Sequence, residues 1–201
     1  MWYAHAVDSR ASRPQQKRRA LFSPQVTDVP FILREAKPED VPALAALHVQ
    51  TFNETHRGGR SGGPSCELRQ SQWREAFGRM DGSWFCVVIE GERGELVGFA
   101  KGTPRDGGVP GFAGELNKIY LLRRVQRQGL GRRLLGAVAT RFLNRGVTSM
   151  LLFGEPALPA NQFYEAFGAE RLYGPNGAFH GGYGWRDLRA LAALCSAAAP
   201  K

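Results

Sequence analysis

Residues 126–131 read Gln126-Arg127-Gln128-Gly129-Leu130-Gly131, and they connect a strand-like run, 114–122, to an amphipathic helical run, 131–144. Glycines let bare backbone N–H groups approach an anion closely, and the following helix adds four unpaired N–H donors and the positive end of its dipole. This order of strand, glycine loop and helix predicts a pocket for a pyrophosphate group. Taken alone, the loop is equally compatible with an ordinary strand-to-helix turn.

Positive charge is concentrated around the same loop. The chain has a net charge of +9, and no acidic residue occurs between Leu116 and Gly154. The basic residues in that interval are Lys118, Arg123, Arg124, Arg127, Arg132, Arg133, Arg141 and Arg145. Such a field attracts a multiply charged anion. We favour a phosphorylated cofactor over a nucleic acid, because the interval has few aromatic residues for base stacking and no recognisable DNA-binding module. A solvated arginine-rich helix face is the alternative for part of these charges.

Composition and patterning predict one domain with two tails. The 201 residues, 43% of them hydrophobic, suffice for one buried core. Residues 1–30 are basic without periodicity and predict a disordered arm, residues 31–190 predict the folded domain, and residues 191–201 predict an Ala-rich tail. No apolar run is long enough to span a membrane, and no secretory signal is recognisable. We therefore expect a cytoplasmic protein without a membrane partner, and a homodimer is compatible with the sequence.

The cysteines and histidines give no sign of a disulfide framework or a metal site. Cys66, Cys86 and Cys195 are scattered and odd in number, which favours reduced thiols. The histidines lack metal-ligand spacing, so no metal is predicted. His48 and His56 are interpreted as two partly exposed residues on one helix.

Hydrophobic periodicity predicts alternating strands and helices. The predicted strands are 31–36, 84–90, 96–103, 114–122, 150–153 and 181–188. The predicted helices begin at Pro38, Glu67, Gly131 and Asn161. The helix from Glu67 is expected to bury Leu68, Trp73 and Phe77, and the two helices before the hairpin of strands 84–90 and 96–103 are expected to border the substrate.

A second motif follows the glycine loop and reads Asn161-Gln162-Phe163-Tyr164-Glu165-Ala166-Phe167-Gly168. The two motifs and the order of the elements resemble the GNAT superfamily of acetyl-CoA-dependent N-acetyltransferases, over residues 31–188. The resemblance implies an α/β fold, in which helices flank a mixed, largely antiparallel central sheet. It further implies that the fourth and fifth strands splay apart, so that the pantetheine arm of the coenzyme fills the gap.

The resemblance also implies acetyl-CoA as acyl donor and assigns residues to it. The pyrophosphate would be held by loop amides, of which the defining positions are Gln126, Gly129 and Gly131, and the neighbouring ones are Arg127, Gln128, Leu130 and Arg132. The acetyl carbonyl would be polarised by the backbone N–H groups of Ile119, Tyr120 and Leu121. Asn161 matches an asparagine that contacts the cofactor, although helix N-capping would equally account for it.

Acetyl transfer to an amine needs an uncharged nitrogen, a stabilised carbonyl oxygen and a protonated leaving thiolate. By the resemblance, Tyr164 lies near the sulfur and protonates the thiolate; its alternative is a core aromatic. Glu115 begins the strand that leads to the loop, and strand periodicity places it and Asn117 on the face of Ile119. Glu115 could accept the amine's proton, anchor a cationic acceptor, or simply pair with an arginine.

The leading hypothesis is an N-acetyltransferase that moves an acetyl group from acetyl-CoA to a primary amine by direct attack. Cys66 and Cys86 have no histidine beside them in sequence that would indicate a covalent route. The alternative is a non-catalytic acyl-CoA-binding regulatory module, which would not need Tyr164 or Glu115. The acceptor stays open among a small amine, an aminoglycoside-like compound, an amino acid and a protein amino terminus. The basic surface disfavours a polycation.

Overall fold

The computed structural model describes residues 31–55, 63–79 and 81–197, so the predicted basic arm, 1–30, and His56 lie outside the described residues. The strands are β1 Ile32–Glu35, β2 Phe85–Glu90, β3 Leu96–Pro104, β4 Gly114–Leu121, β5 Met150–Phe153, β6 Glu170–Tyr173 and β7 Phe179–Trp185. The helices are α1 Val41–Thr55, α2 Cys66–Gly78, α3 Leu130–Leu143, α4 Asn161–Ala166 and α5 Leu188–Ser196.

The strands form one seven-stranded sheet in the order β1-β2-β3-β4-β5-β7-β6. Neighbouring strands run antiparallel except β4 and β5, which run parallel and are joined by the crossover helix α3. The predicted α/β class with a mixed, largely antiparallel sheet is therefore confirmed.

The sheet is open at its centre. Strand β4 has eight residues, yet only Gly114 and Glu115 pair with β5, opposite Met150 and Leu151. Beyond Glu115 the two strands diverge, which confirms the predicted splay between the fourth and fifth strands. A strand that lacks a neighbour exposes a row of unpaired N–H and C=O groups, and the gap is therefore lined with them.

A β-bulge in β4 changes which side chains share a face. The pairing with β3 runs from Thr103 opposite Glu115 to Lys101 opposite Lys118, with a register shift between Lys101 and Gly102. This shift leaves one extra residue, Asn117, in β4. One inserted residue reverses the alternation of side chains. The prediction that Glu115 and Asn117 lie on the face of Ile119 is therefore wrong.

The two faces of the sheet carry different helices. Tyr120 packs against His48 of α1, whereas its neighbour Leu121 lies beside Gly131 of α3. Successive strand residues point to opposite faces, so α1 and α3 cover opposite faces. Helix α2 packs on α1, and α5 packs on α3. Because of the bulge, Glu115, Lys118 and Tyr120 share the face of α1 and α2.

Three differences from the sequence prediction concern side-chain packing and the C-terminal elements. The predicted tail from residue 191 is wrong up to Ser196, because this stretch belongs to α5, whose Leu188 and Leu191 are buried. Strand β6 is not predicted at all, since it has four residues, most of them exposed. Leu68 is 50% exposed instead of buried, while Trp73 and Phe77 of the same helix are buried as predicted.

Candidate active site

The glycine loop ends in an uncapped helix N-terminus. Gly129 precedes α3 with φ 78°, and no side chain caps the helix. The first helical hydrogen bond runs from the Arg133 N–H to the Gly129 carbonyl at 3.1 Å, so the N–H groups of the three residues before Arg133 have no helical acceptor. Arg127 also has a positive φ of 63°. Left-handed residues turn successive backbone N–H groups toward one side, which is the geometry of an anion site.

Side-chain hydrogen bonds hold the loop in place. The Gln126 side chain donates to the Leu121 carbonyl at 3.1 Å, and the Gln128 side chain donates to the Arg124 carbonyl at 3.4 Å. The glutamines therefore connect the loop to the end of β4 and to the short turn after it. Their predicted contribution to coenzyme binding is through backbone amides, which these side-chain contacts leave available.

Most arginines of the basic interval are already engaged within the protein. Their partners are the Glu54 carbonyl for Arg123, the Glu95 carboxylate for Arg124, the Cys195 carbonyl for Arg132, the Phe31 carbonyl for Arg133, the Glu35 carboxylate for Arg141 and the Gly82 carbonyl for Arg145. Within the described ranges, only Arg127 and Lys118 lack such a partner. Arg127 lies in the glycine loop, whereas Lys118 lies in β4 on the face of α1 and α2.

Two of the three predicted β4 amides point into the central gap. The Leu122 N–H donates to Val97 of β3 at 2.9 Å. Hydrogen-bonding direction alternates along a strand, so the Tyr120 amide also faces β3, and the amides of Ile119 and Leu121 face the gap. Of the predicted set, Ile119 and Leu121 are therefore the residues whose backbone N–H can meet a ligand there.

Tyr164 of α4 is buried against an aromatic cluster. Its ring lies 5.5 Å from Phe163, 5.7 Å from Tyr183 and 6.2 Å from Trp185 between centroids. Burial raises the pKa of Tyr164 to about 12, and the nearby Tyr120 and Tyr183 hydroxyls act in the same direction. The phenol therefore keeps its proton at neutral pH. The core-aromatic alternative accounts for its ring contacts, but no hydrogen bond engages the Tyr164 hydroxyl within the described residues.

Asn161 supports a loop. Its side-chain amide donates to the carbonyls of Glu155 at 3.0 Å and Pro156 at 2.9 Å, and the residue is buried. The helix N-cap is Ala160, so N-capping does not explain Asn161. Its observed contacts hold the segment between β5 and α4, and the predicted cofactor contact stays a prediction.

Glu115 carries a partner already. Its carboxylate forms an ion pair with Arg105, and both side chains are about three-quarters buried. This is the arginine pairing that the sequence left open as an alternative. The carboxylate and Arg105 border the loop between β3 and β4, where Arg105, residues 107–113 and Ser149 line a cavity of about 500 Å3. That cavity lies at the end of β4 opposite to the glycine loop.

A buried aromatic cluster next to β4 was not predicted. His48 is only 2% exposed, and its ring lies 5.3 Å from Phe99, 5.4 Å from Tyr120 and 6.2 Å from Trp73. Burial lowers the pKa of His48 to about 3, with smaller effects from Arg69 and Lys118. The expectation of a partly exposed histidine is therefore wrong. A signal was present, because His48 follows Leu44 by four residues and so lies on the apolar stripe of α1.

The geometry fits an acylated coenzyme with a pyrophosphate. Unpaired amides at the start of α3 face the loop, and the gap between β4 and β5 leads away from it. Over the described parts of the chain, no helix is long and apolar enough to cross a membrane. Neither do three His, Cys, Asp or Glu side chains converge there as metal ligands.

A sheet split between two parallel strands, with unpaired helix N–H groups at its open end and a buried tyrosine that keeps its proton, is the arrangement expected of a coenzyme A-dependent acyltransferase. The family model described as Acetyltransferase (GNAT) family matches residues 41–169. The chain therefore belongs to the GNAT family of acetyltransferases, and the resemblance noted in the sequence is confirmed.

The relatives agree with this membership. An uncharacterized N-acetyltransferase, YuaI of Bacillus subtilis strain 168, is 33% identical over 174 residues, covering 81% of this chain and 96% of the relative. The PaiA N-acetyltransferase of Thermoplasma acidophilum, solved with coenzyme A, superposes with TM-score 0.63 at 16% identity over 77% of this chain and 98% of its own. A phosphinothricin acetyltransferase of Sinorhizobium meliloti, solved with AcCoA, superposes with TM-score 0.56 at 20% identity, over 77% of this chain and 85% of its own. The two structures share the fold.

Proposed function

We propose that this acetyltransferase transfers the acetyl group of acetyl-CoA to a primary amine by direct attack of the amine nitrogen. The observation that carries the proposal is the open gap between β4 and β5, which begins beyond Glu115 and extends along β4 toward the uncapped N-terminus of α3. Solved relatives with this fold hold coenzyme A or AcCoA. Bound acetyl-CoA supplies the activated thioester. The three free thiols in the described residues are consistent with a cytoplasmic setting, which is part of the proposal.

The loop and strand residues bind and orient the coenzyme. Loop amides from Arg127 to Arg132 hold the pyrophosphate, and the Arg127 guanidinium adds a charge that no carboxylate of the described residues neutralises. The β4 amides that face the gap, those of Ile119 and Leu121, hydrogen-bond the arm and polarise the acetyl carbonyl. Backbone donors fixed in a sheet need no rearrangement as negative charge develops on the carbonyl oxygen.

Tyr164 is the proposed general acid. Its hydroxyl keeps a proton because burial raises the pKa to about 12, and it is free to donate this proton to the leaving sulfur. Burial disfavours a phenolate, so Tyr164 gives up its proton only as negative charge develops on the leaving sulfur. Solvent then replaces the proton of Tyr164.

Glu115 is the proposed acceptor of the amine's proton, directly or through a water molecule, or the anchor of the cationic acceptor. It shares the face of α1 and α2 with Lys118 and Tyr120, and this face is the proposed acceptor side. The ion pair with Arg105 fixes the orientation of the carboxylate. One carboxylate oxygen can bind Arg105 while the other receives the proton.

The coenzyme site is tested by calorimetric titration with acetyl-CoA. Gly129 and Gly146 form a matched pair, because they lie at opposite ends of α3, have φ of 78° and 75°, and have open space where a side chain would start. Both Gly129→Glu and Gly146→Glu strain the backbone equally. Only Gly129→Glu should weaken acetyl-CoA binding, by at least about tenfold, because it adds a carboxylate to the anion site. Equal affinities of the two variants would contradict the site.

The chemical role of Tyr164 is tested by turnover with an amine panel. We expect Tyr164→Phe to lower kcat by about a hundredfold, the usual contribution of a general acid, with the acetyl-CoA affinity unchanged. Tyr173→Phe is the control, since Tyr173 is 61% exposed on β6. If both variants turn over like the wild type, Tyr164 has no part in the reaction.

A further inference from the structure

Three cationic side chains meet on the face of α1 and α2. Lys101 of β3 and Lys118 of β4 are directly paired across the two strands, so their side chains stand next to each other. Burial lowers the pKa of Lys118, and Arg69 of α2 and Lys101 lie close enough to act in the same direction. All three side chains are half-buried. We refer to Arg69, Lys101 and Lys118 as the cationic cluster.

Within the described residues, no carboxylate forms an ion pair with the cationic cluster. Lys101 Nζ lies 4.9 Å from the ring centre of Trp84 and 5.9 Å from that of Trp73, which stabilises one charge. The Arg69 side chain donates to the Gln72 side chain at 2.8 Å, its one side-chain hydrogen bond among the described residues. Lys118 has no hydrogen bond, ion pair or ring contact within the described residues. Like charges on paired strand positions are unfavourable, so the fold bears a cost here that burial does not offset.

The neighbouring acids are engaged elsewhere. Glu115 raises the pKa of Lys118 slightly, yet its carboxylate is paired with Arg105. The Glu54 carboxylate accepts from the Arg123 backbone N–H at 2.8 Å and from the Gln50 side chain at 2.9 Å, and Glu75 pairs with Arg79 at 2.5 Å. Among the described residues, none of these carboxylates forms an ion pair with the cluster.

Within the described residues, three buried polar atoms next to the cluster have no hydrogen-bond partner: Arg69 Nε, His48 Nδ1 and Trp73 Nε1. His48 is 98% buried, and its lowered pKa keeps the ring neutral, so it neither adds to nor balances the charge. Buried polar groups in folded proteins are almost always satisfied. Unpaired atoms beside unneutralised cations are typical of a site whose partner is a ligand.

The cluster borders the proposed acyl-transfer gap. Lys118 and Tyr120 lie on the same face of β4, and Tyr120 is close enough to contribute to the raised pKa of Tyr164. Burial raises the pKa of Tyr120, and Arg69 is close enough to oppose this effect. Tyr120 therefore lies near both Arg69 and Tyr164, at the part of β4 that β5 leaves unpaired.

We propose that the acceptor is an amino-acid-like small molecule whose carboxylate binds Arg69, Lys101 and Lys118. This inference rests on the proposed function, since it names the class of acceptor for that same site. The carboxylate of the acceptor supplies the counterion that the cluster lacks among the described residues. Glu115, on the same face, lies where the amine end of the same molecule can reach it. A polyamine would place positive charge against the cluster and is rejected.

The test compares amines that differ only in the acid. Each of a panel of α-, β- and γ-amino acids is paired with its carboxamide, and kcat/KM is measured with saturating acetyl-CoA. We expect the carboxylate member of at least one pair to be preferred by about tenfold or more, the usual effect of a hydrogen-bonded charge. Tripeptides are included in the panel to distinguish a free amino acid from a peptide amino terminus as the acceptor. Equal rates for acid and amide throughout the panel would overturn the proposal.

Lys118→Met and Arg74→Met form the matched variants. Arg74 is exposed on α2, so its replacement changes the net charge equally without touching the cluster. Lys118→Met should raise KM for the acid about tenfold or more and leave the amide, and the acetyl-CoA affinity, unchanged. A loss of acetyl-CoA affinity in Lys118→Met would assign the cluster to the coenzyme instead and overturn the proposal.

Stability gives a readout that does not need turnover. Removing one of three neighbouring positive charges reduces the repulsion between them, so Lys118→Met should unfold at the same or a higher temperature than the wild type. A clear fall in Tm would mean a structural role for Lys118 and would contradict the proposal. If no panel member is acetylated, the complex with coenzyme is titrated with propionate by calorimetry. Propionate binding that is lost in Lys118→Met supports the carboxylate site, whereas no propionate binding by the wild type refutes it. Acetyl-CoA binding in the same titrations reports separately on the proposed function.

Discussion

The burial of His48 makes the stability of this protein depend on pH in a way that can be calculated. The ring is 2% exposed, and burial lowers its pKa from 6.5 to about 3. Below pH 6.5 the unfolded chain therefore binds a proton that the folded chain does not. Because the unfolded state binds more protons, the free energy of unfolding falls as the pH falls. This contribution is fully present above pH 6.5 and is lost progressively toward pH 3.

The magnitude follows from the linkage relation. Between pH 7 and pH 5, a site with these two pKa values lowers the free energy of unfolding by about 2 kcal/mol. His48→Phe removes the titrating group and keeps an aromatic ring against Phe99 and Tyr120. The fall in stability from pH 7 to pH 5 should therefore be about 2 kcal/mol smaller in His48→Phe than in the wild type.

Urea unfolding at the two pH values, followed by tryptophan fluorescence, measures this difference. His180→Phe is the control, because it makes the same substitution at an exposed histidine. At pH 7, His48→Phe also removes the unpartnered Nδ1, so its stability there should be similar to or greater than that of the wild type. An identical pH dependence in wild type and His48→Phe would refute the reasoning, since the histidine would then be free to take up its proton in the folded state.

Three further predictions concern single carboxylates and one phenol. Glu115→Gln should shift the pH profile of acetylation toward higher pH if Glu115 receives the amine's proton, and an unchanged profile would leave it only as the partner of Arg105. Asp40→Asn should lower the free energy of unfolding at pH 7 by about 1 to 3 kcal/mol, because Asp40 accepts two hydrogen bonds from Arg34, at 2.7 and 2.8 Å; urea titrations that match wild type would contradict this. Since the pKa of Tyr164 is about 12, turnover measured up to pH 10 should show no decline caused by loss of its proton, and a decline that Tyr164→Phe abolishes would contradict the assigned environment.

The loop, the second motif and the order of the elements could be predicted because their signals are local. A φ of 78° at position 129 favours glycine, and the helix after it is amphipathic, so both features can be recognised from consecutive residues. The splay at the fourth and fifth strands came from the resemblance rather than from the residues. No property of the β4 sequence alone indicates that its pairing with β5 ends at Glu115.

The features that sequence reasoning missed depend on contacts between distant segments. The bulge at Asn117 exists only relative to β3, and it reverses the face on which Glu115 lies. The partner of Glu115 is ten residues away across the hairpin, and the cationic cluster draws its members from α2, β3 and β4. A chain with scattered lysines and arginines does not reveal which of them lack a counterion. The sequence predicts a strand up to Leu188 and a tail from residue 191, because the alanine-rich composition conceals helix α5, whose Leu188 and Leu191 are buried.

The short parallel junction between β4 and β5 has a kinetic consequence. The sheet has one part of four strands, β1 to β4, and one of three strands, β5 to β7, and only two residue pairs join them. The residues proposed to bind the acceptor and to protonate the thiolate belong to different parts. Glu115 and the cationic cluster belong with β4, α2 and β3, whereas Tyr164 belongs with the strands beyond the gap. In the proposed binding mode, a coenzyme arm in the gap would set the distance between them. Acetyl-CoA is therefore expected to bind first and the acceptor second, so that the reaction follows a compulsory order.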